Sequence, residues 1–146
     1  ADYVVILTEM VHDARIVPVA DHPHLTETVR QWNGDSRGHW DGETLVVETT
    51  NFTAKRASFE PGATVALGTG DTLRLVERFT RLNTDTLLYE YTVDDPTTFT
   101  APFTAAVPMK RSADPIFEYA CHEGNYGMAN ILRAGRAADG GGQGTR

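Results

Sequence analysis

A chain of 146 residues with a 40% hydrophobic and a 23% charged share can bury one core of its own. Thirteen lysines and arginines against twenty acids, a net charge of −7, exclude the concentrated basic surface that phosphate backbones demand, so nucleic acid is not an expected partner. No apolar run approaches the roughly 18 residues of a helical membrane span, and the single cysteine, Cys121, excludes an intrachain disulfide.

The chain opens on a charge-free β-prone run, Tyr3-Val4-Val5-Ile6-Leu7-Thr8. Such a strand needs cover on both faces or a partner strand from elsewhere. No basic segment precedes it, and Ala1 reads as a processing boundary with something upstream removed. A second short strand is expected over 15–19. Residues 21–38 look loop-like, with a helical turn over 26–32 capped by Thr26 and turning Val29 and Trp32 inward.

Asp41-Gly42 between two β-prone runs predicts a hairpin with a tight type I′ turn. Strands follow at 45–49, 73–79, 88–93, 103–107 and 116–120. All but the fourth are β-branched or aromatic runs with one acid near the middle, the alternation of strands with one buried and one wet face. Residues 51–70 form a long connection, and 82–85 close another hairpin. Pro102 marks the segment after it as an edge strand or bulge. Residues 128–136 are expected to make one short helix, and 137–146 a flexible Gly-rich tail after a single domain over 1–136. The fold expected is all-β: one antiparallel sheet curling into a barrel or sandwich, lipocalin-like at most, with that one C-terminal helix.

Residues 34–52, GDSRGHWDGETLVVETTNF, and 118–127, EYACHEGNYG, resemble the two signatures of an uncharacterised family of exported, β-rich bacterial proteins. The resemblance covers most of the chain. It implies export, to the outside of the cell or the periplasm, and a trimmed N-terminus. It implies no activity.

Histidines are the first candidate ligands. His22-Pro23-His24 in extended conformation would put both rings on one face, as a zinc pair needs, and His39, His122 and Glu123 sit at strand edges where loops converge. His12 completes the set of five. The spacing fits no closed zinc pattern, so the alternative is loop histidines without a metal. Calcium at the turns Gly70-Asp71 and Asp94-Asp95 is a weaker possibility, and no cofactor is required by the sequence. Asn51-Phe52-Thr53 is a glycosylation sequon.

Acids on strands come next. Glu77 shares a face with Leu73, Leu75 and Phe79 and should point inward. Glu48, Glu90 and Glu118 could form a band lining a cavity in a closed barrel, or else a wet face paired with Arg74, Arg78 and Lys110. An enzyme would use Glu77 or Glu118 as general base with His122 or His39 nearby. Serines 36, 58 and 112 lie in no nucleophile elbow, and Cys121 and His122 are adjacent, so on a strand they point apart.

Two functions remain. One is an exported structural module that self-associates into oligomers or filaments through Tyr3, Val4, Val5, Ile6 and Leu7 or through its tail, by strand exchange. The other is a small barrel that binds or transforms an apolar small molecule, with Trp40, Tyr89, Tyr91, Phe117 and Tyr119 as its aromatic lining.

Overall fold

The computed structural model describes residues 2–9, 13–20, 22–54, 71–117 and 126–140. The chain divides into two compact units, residues 1–7 with 14–115, and residues 8–13 with 116–146.

The first unit is all-β and built of two antiparallel layers. A five-stranded sheet runs in the order β3 (Asp35–Asp41), β4 (Thr44–Thr50), β5 (Arg74–Asn83), β6 (Thr86–Asp94), β7 (Phe103–Lys110). Each strand pairs with its neighbour in sequence, and among the described residues the sheet ends in two open edges rather than closing into a barrel. The other layer is the hairpin of β1 (Tyr3–Thr8) and β2 (Asp13–Pro18). The expected single curled sheet is thus two sheets in a sandwich-like pair. The N-terminal strand has its partner in β2 rather than in a distant element.

Register explains which residues face the hairpin. Gly38 lies opposite Val47, Val47 opposite Glu77 and Glu77 opposite Tyr91, while Leu45, Phe79 and Tyr89 align one step along. Cross-strand partners share a face, so these form the covered side. From the hairpin, Val4, Ile6, Val17 and Val19 pack onto Leu45, Val47 and Phe79. The approach is close: a Cβ on Gly38 would stand 3.0 Å from Val17 Cγ1. A second cluster joins Phe52, Leu73 and Val93 to Leu75, Tyr91 and Phe99, and Phe99 meets Phe103 edge-on at 5.1 Å.

The β3–β4 hairpin is where the sequence places it, with a different turn. Asp41 is the last residue of β3, pairing with Thr44, and only Gly42 of the central pair has positive φ (61°). That matches a type II′ turn, which asks for glycine at its first central position.

Residues 22–33 make turns instead of a helix, and Val29 and Trp32 are exposed rather than inward. Side chains of the sheet fasten this segment. Asn51, at φ 56°, donates Nδ2 to the carbonyls of Leu25 and Thr26, and Gln31 forms a parallel bridge with Phe52. Gly34 must be glycine: its φ is +69°, and a Cβ there would lie 2.6 Å from both Thr49 Cγ2 and the Thr50 carbonyl.

In the second unit, α1 (Gly127–Gly140) is the one helix expected, four residues longer at its end than 128–136. Its Met128, Ile131 and Leu132 are exposed. Ile116 and Phe117 are exposed and in no strand, so the expected strand over 116–120 is absent from its first two positions; the rest of it lies outside the described residues.

Candidate functional site

Two polar constellations arise from this packing, one on each side of the sheet. The first is buried beneath the hairpin. Glu77, only 4% exposed, projects from the middle strand toward β2. Arg15 donates Nη2 to Glu77 Oε1 at 3.0 Å, and its Nη1 stands 2.6 Å from Oε2 in an ion-pair contact poorly aligned as a hydrogen bond. Tyr89 donates its hydroxyl to Glu77 Oε1 at 2.8 Å and stacks on Phe79 at 5.0 Å. Burial first, then the charge of Glu77, pushes the Tyr89 phenol well above its ordinary range. Glu77 does point inward, but Arg15 grips its carboxylate. Held in this way, the carboxylate pins the two layers together.

The second constellation lies where the chain passes from the hairpin around the outer edge of β3. Val19, Ala20, His22, Pro23 and His24 on the passing segment, with Arg37, Gly38, His39 and Trp40 of β3 and Glu48 of β4, enclose a pocket of about 560 Å³. His24 Nδ1 lies 2.9 Å from Asp35 Oδ2, and its Nε2 lies 3.9 Å from Glu48 Oε1. Asp35 also accepts the Leu25 N–H at 2.9 Å and Arg37 Nη1 at 2.6 Å. Burial pulls the Asp35 carboxyl upward, but the bonds from Leu25, His24 and Arg37 outweigh it and hold it below the usual range. Arg37 Nε reaches back to the Pro23 carbonyl at 2.9 Å, closing the clasp.

Glu48 is held by Arg74 through two bonds, Nε to Oε1 at 2.9 Å and Nη2 to Oε2 at 2.7 Å, which lower its pKa. Arg78 holds Asp41 through one bond, Nη2 to Oδ2 at 2.8 Å, which lowers the Asp41 pKa as well. Glu48 and Glu90 do share the face away from the hairpin, separated by β5. With the sheet open, this band is the wet, cross-strand-paired face and lines no barrel cavity.

His22, His24 and His39 therefore meet in one pocket, whereas Glu118, Cys121, His122, Glu123 and His12 lie outside the described residues. Among the described residues no three histidine, cysteine or acidic side chains stand close enough together to hold a metal ion. Of the two turns considered for calcium, Gly70 of the first lies outside the described residues, and the second is bonded internally. Asp95, 1% exposed, accepts the hydroxyls of Thr72, Thr97 and Thr98 at 2.6, 2.7 and 2.8 Å. At the sequon, Asn51 is buried and its amide nitrogen donates to the carbonyls of Leu25 and Thr26. Arg15, Asp35 and Arg37 were not singled out by sequence; only the sheet register, the crossing of the two layers and the path of residues 22–33 reveal them.

No protein-family model, curated protein or solved structure matches the chain. Among the described residues no helix is long and apolar enough to cross a membrane.

Proposed function

We propose that this protein is an exported structural module that assembles with copies of itself. One observation carries the reading: the outer face of the β1–β2 hairpin presents a row of exposed apolar side chains. Val4, Ile6 and Val17 turn inward, while Tyr3, Val5, Leu7 and Ile16 of the same two strands remain 53–63% exposed. Contiguous apolar side chains of this size on a small domain mark a contact surface. The association surface is thus a face of a formed hairpin, with Tyr3, Val5 and Leu7 as its residues and Val4 and Ile6 as its anchor. This replaces strand exchange, which would have to extract Val4 and Ile6 from the core.

Several residues of the first signature have structural duties that fit this reading: Gly34 and Gly42 at positive φ, Asp35, Arg37 and Asn51 as clasps, and Ser36 bonded to Thr49 at 2.8 Å. Export follows from the likeness of that segment to exported proteins. Val5→Lys and Ile16→Lys test the reading: light scattering should show lower oligomers than the native chain at equal concentration, with the circular dichroism unchanged. Oligomers of undiminished size in both variants would refute it.

The pocket supports a second reading, recognition of an apolar small molecule between His22, His24, His39 and the exposed Trp40. Quenching of tryptophan fluorescence by such a molecule, kept in Trp32→Phe and lost in Trp40→Phe, is its test.

A further inference from the structure

The outer edge of β7 is the sheet's second open side, and its hydrogen-bonding groups can be assigned. The Arg111 N–H donates to the Asp85 carbonyl at 2.9 Å, just beyond the β6–β7 ladder. Antiparallel ladders alternate bonded and non-bonded pairs. Residues 103, 105, 107 and 109 therefore bond to β6, and Thr104, Ala106, Pro108 and Lys110 aim their main-chain groups outward. Among the described residues no strand pairs with that side.

Two features make this edge unusual. It carries no charge from Phe103 to Met109, so of the usual guards of an exposed edge, charge and proline, only proline is present there. Moreover, Pro102 and Pro108 share the outward phase of Thr104 and Ala106, and neither has an N–H. Two donors, Thr104 and Ala106, are thus framed by two prolines.

We infer that β7 is an edge-to-edge interface between two copies of this chain, antiparallel and centred on Ala105. In that register Thr104 lies opposite the partner's Ala106 and exchanges both main-chain bonds with it, and the two-fold axis repeats the exchange. Pro102 lies opposite the partner's Pro108, so no donor is stranded. A shift by two residues in either direction leaves the carbonyl of Thr104 or of Ala106 facing a proline. The side chains agree with this register. On the hairpin side, Phe103 meets the partner's Val107 across the small Ala105 pair, and both are at least one-third exposed in the single chain. Two copies, each at net charge −7, meet along a segment without charge.

This inference rests on the self-assembly reading and adds a second surface to it. A two-fold contact alone closes at a dimer, whereas a two-fold contact plus the hairpin face can propagate. The test uses the full chain with Val5→Lys, alone and combined with Ala106→Pro. Ala106→Pro removes an N–H that bonds nothing within the sheet, and Val107→Lys is the alternative that leaves the backbone intact.

Light scattering should give a dimer for Val5→Lys and about half that mass once Ala106→Pro or Val107→Lys is added. Amide exchange at Thr104 and Ala106 should be slow in the dimer and fast in the monomer. If the native chain assembles but Val5→Lys is already monomeric, or its dimer survives both β7 variants, the edge pairing is wrong and the assembly reading stands. A native chain that is monomeric at every concentration overturns both.

Discussion

Arg15 of β2 and Glu77 of β5, sixty-two residues apart, are joined by contacts of 3.0 and 2.6 Å beneath the hairpin. They tie the two layers together by a charge pair that only one partner can abandon cheaply. The Arg15 side chain keeps 21% of its surface in water, the Glu77 side chain 5%. Arg15→Met strands a buried carboxylate and should lower stability by about 3 kcal/mol. Glu77→Gln keeps the shape and the Tyr89 bond and should cost about 1 kcal/mol. Urea unfolding of the two variants checks the asymmetry; equal losses would show that the pair is not buried as described.

Glycine substitutions should rank by what a Cβ meets. Gly34→Ala combines positive φ with contacts of 2.6 Å and should cost at least about 2 kcal/mol. Gly42→Ala meets nothing within 4 Å and carries only the cost of its φ, about 1 kcal/mol. Thermal melts of the pair should place Gly42→Ala well above Gly34→Ala.

The Asp35 carboxyl is depressed in the folded state, so its stabilisation is complete above the unfolded value, about pH 4, and is lost as pH falls through the lower folded value. The stability gap between the native chain and Asp35→Asn should be constant from pH 7 to about pH 5 and shrink on further acidification. Glu48 responds in the same direction.

Tyr89 has the opposite sign. Its folded pKa is raised, so the neutral phenol stabilises fully below the unfolded value, about pH 10, and that contribution fades as pH rises beyond it. Alkaline unfolding should be delayed in Tyr89→Phe relative to the native chain, measured by circular dichroism across the alkaline range.

Most strands were legible because period-two alternation depends only on local sequence. Even the inward turn of Glu77 follows from its sharing a face with Leu75 and Phe79. The partner of Glu77 was not legible, since Arg15 reaches it only through the crossing of two layers. The helical turn expected over 26–32 stops at one turn, the Val29 N–H on the Thr26 carbonyl, for a related reason. Asn51 and Asp35, distant in sequence, tie Leu25 and Thr26 to the sheet, and Gln31 pairs with Phe52 instead of continuing a helix. The same clasp draws His22, His24 and His39 together, so their residue types were visible while their meeting place was not. The outward phase of Pro108 likewise needs the β6–β7 register.

Self-assembly through exposed apolar strands is the central claim, and the mass of the purified native chain tests it most directly. Light scattering over a range of concentrations, with negative-stain electron microscopy of the same samples, should show dimers growing into larger regular oligomers or filaments as concentration rises. A strictly monomeric chain throughout would contradict the account and leave the pocket at His24 and Trp40 as the site to pursue.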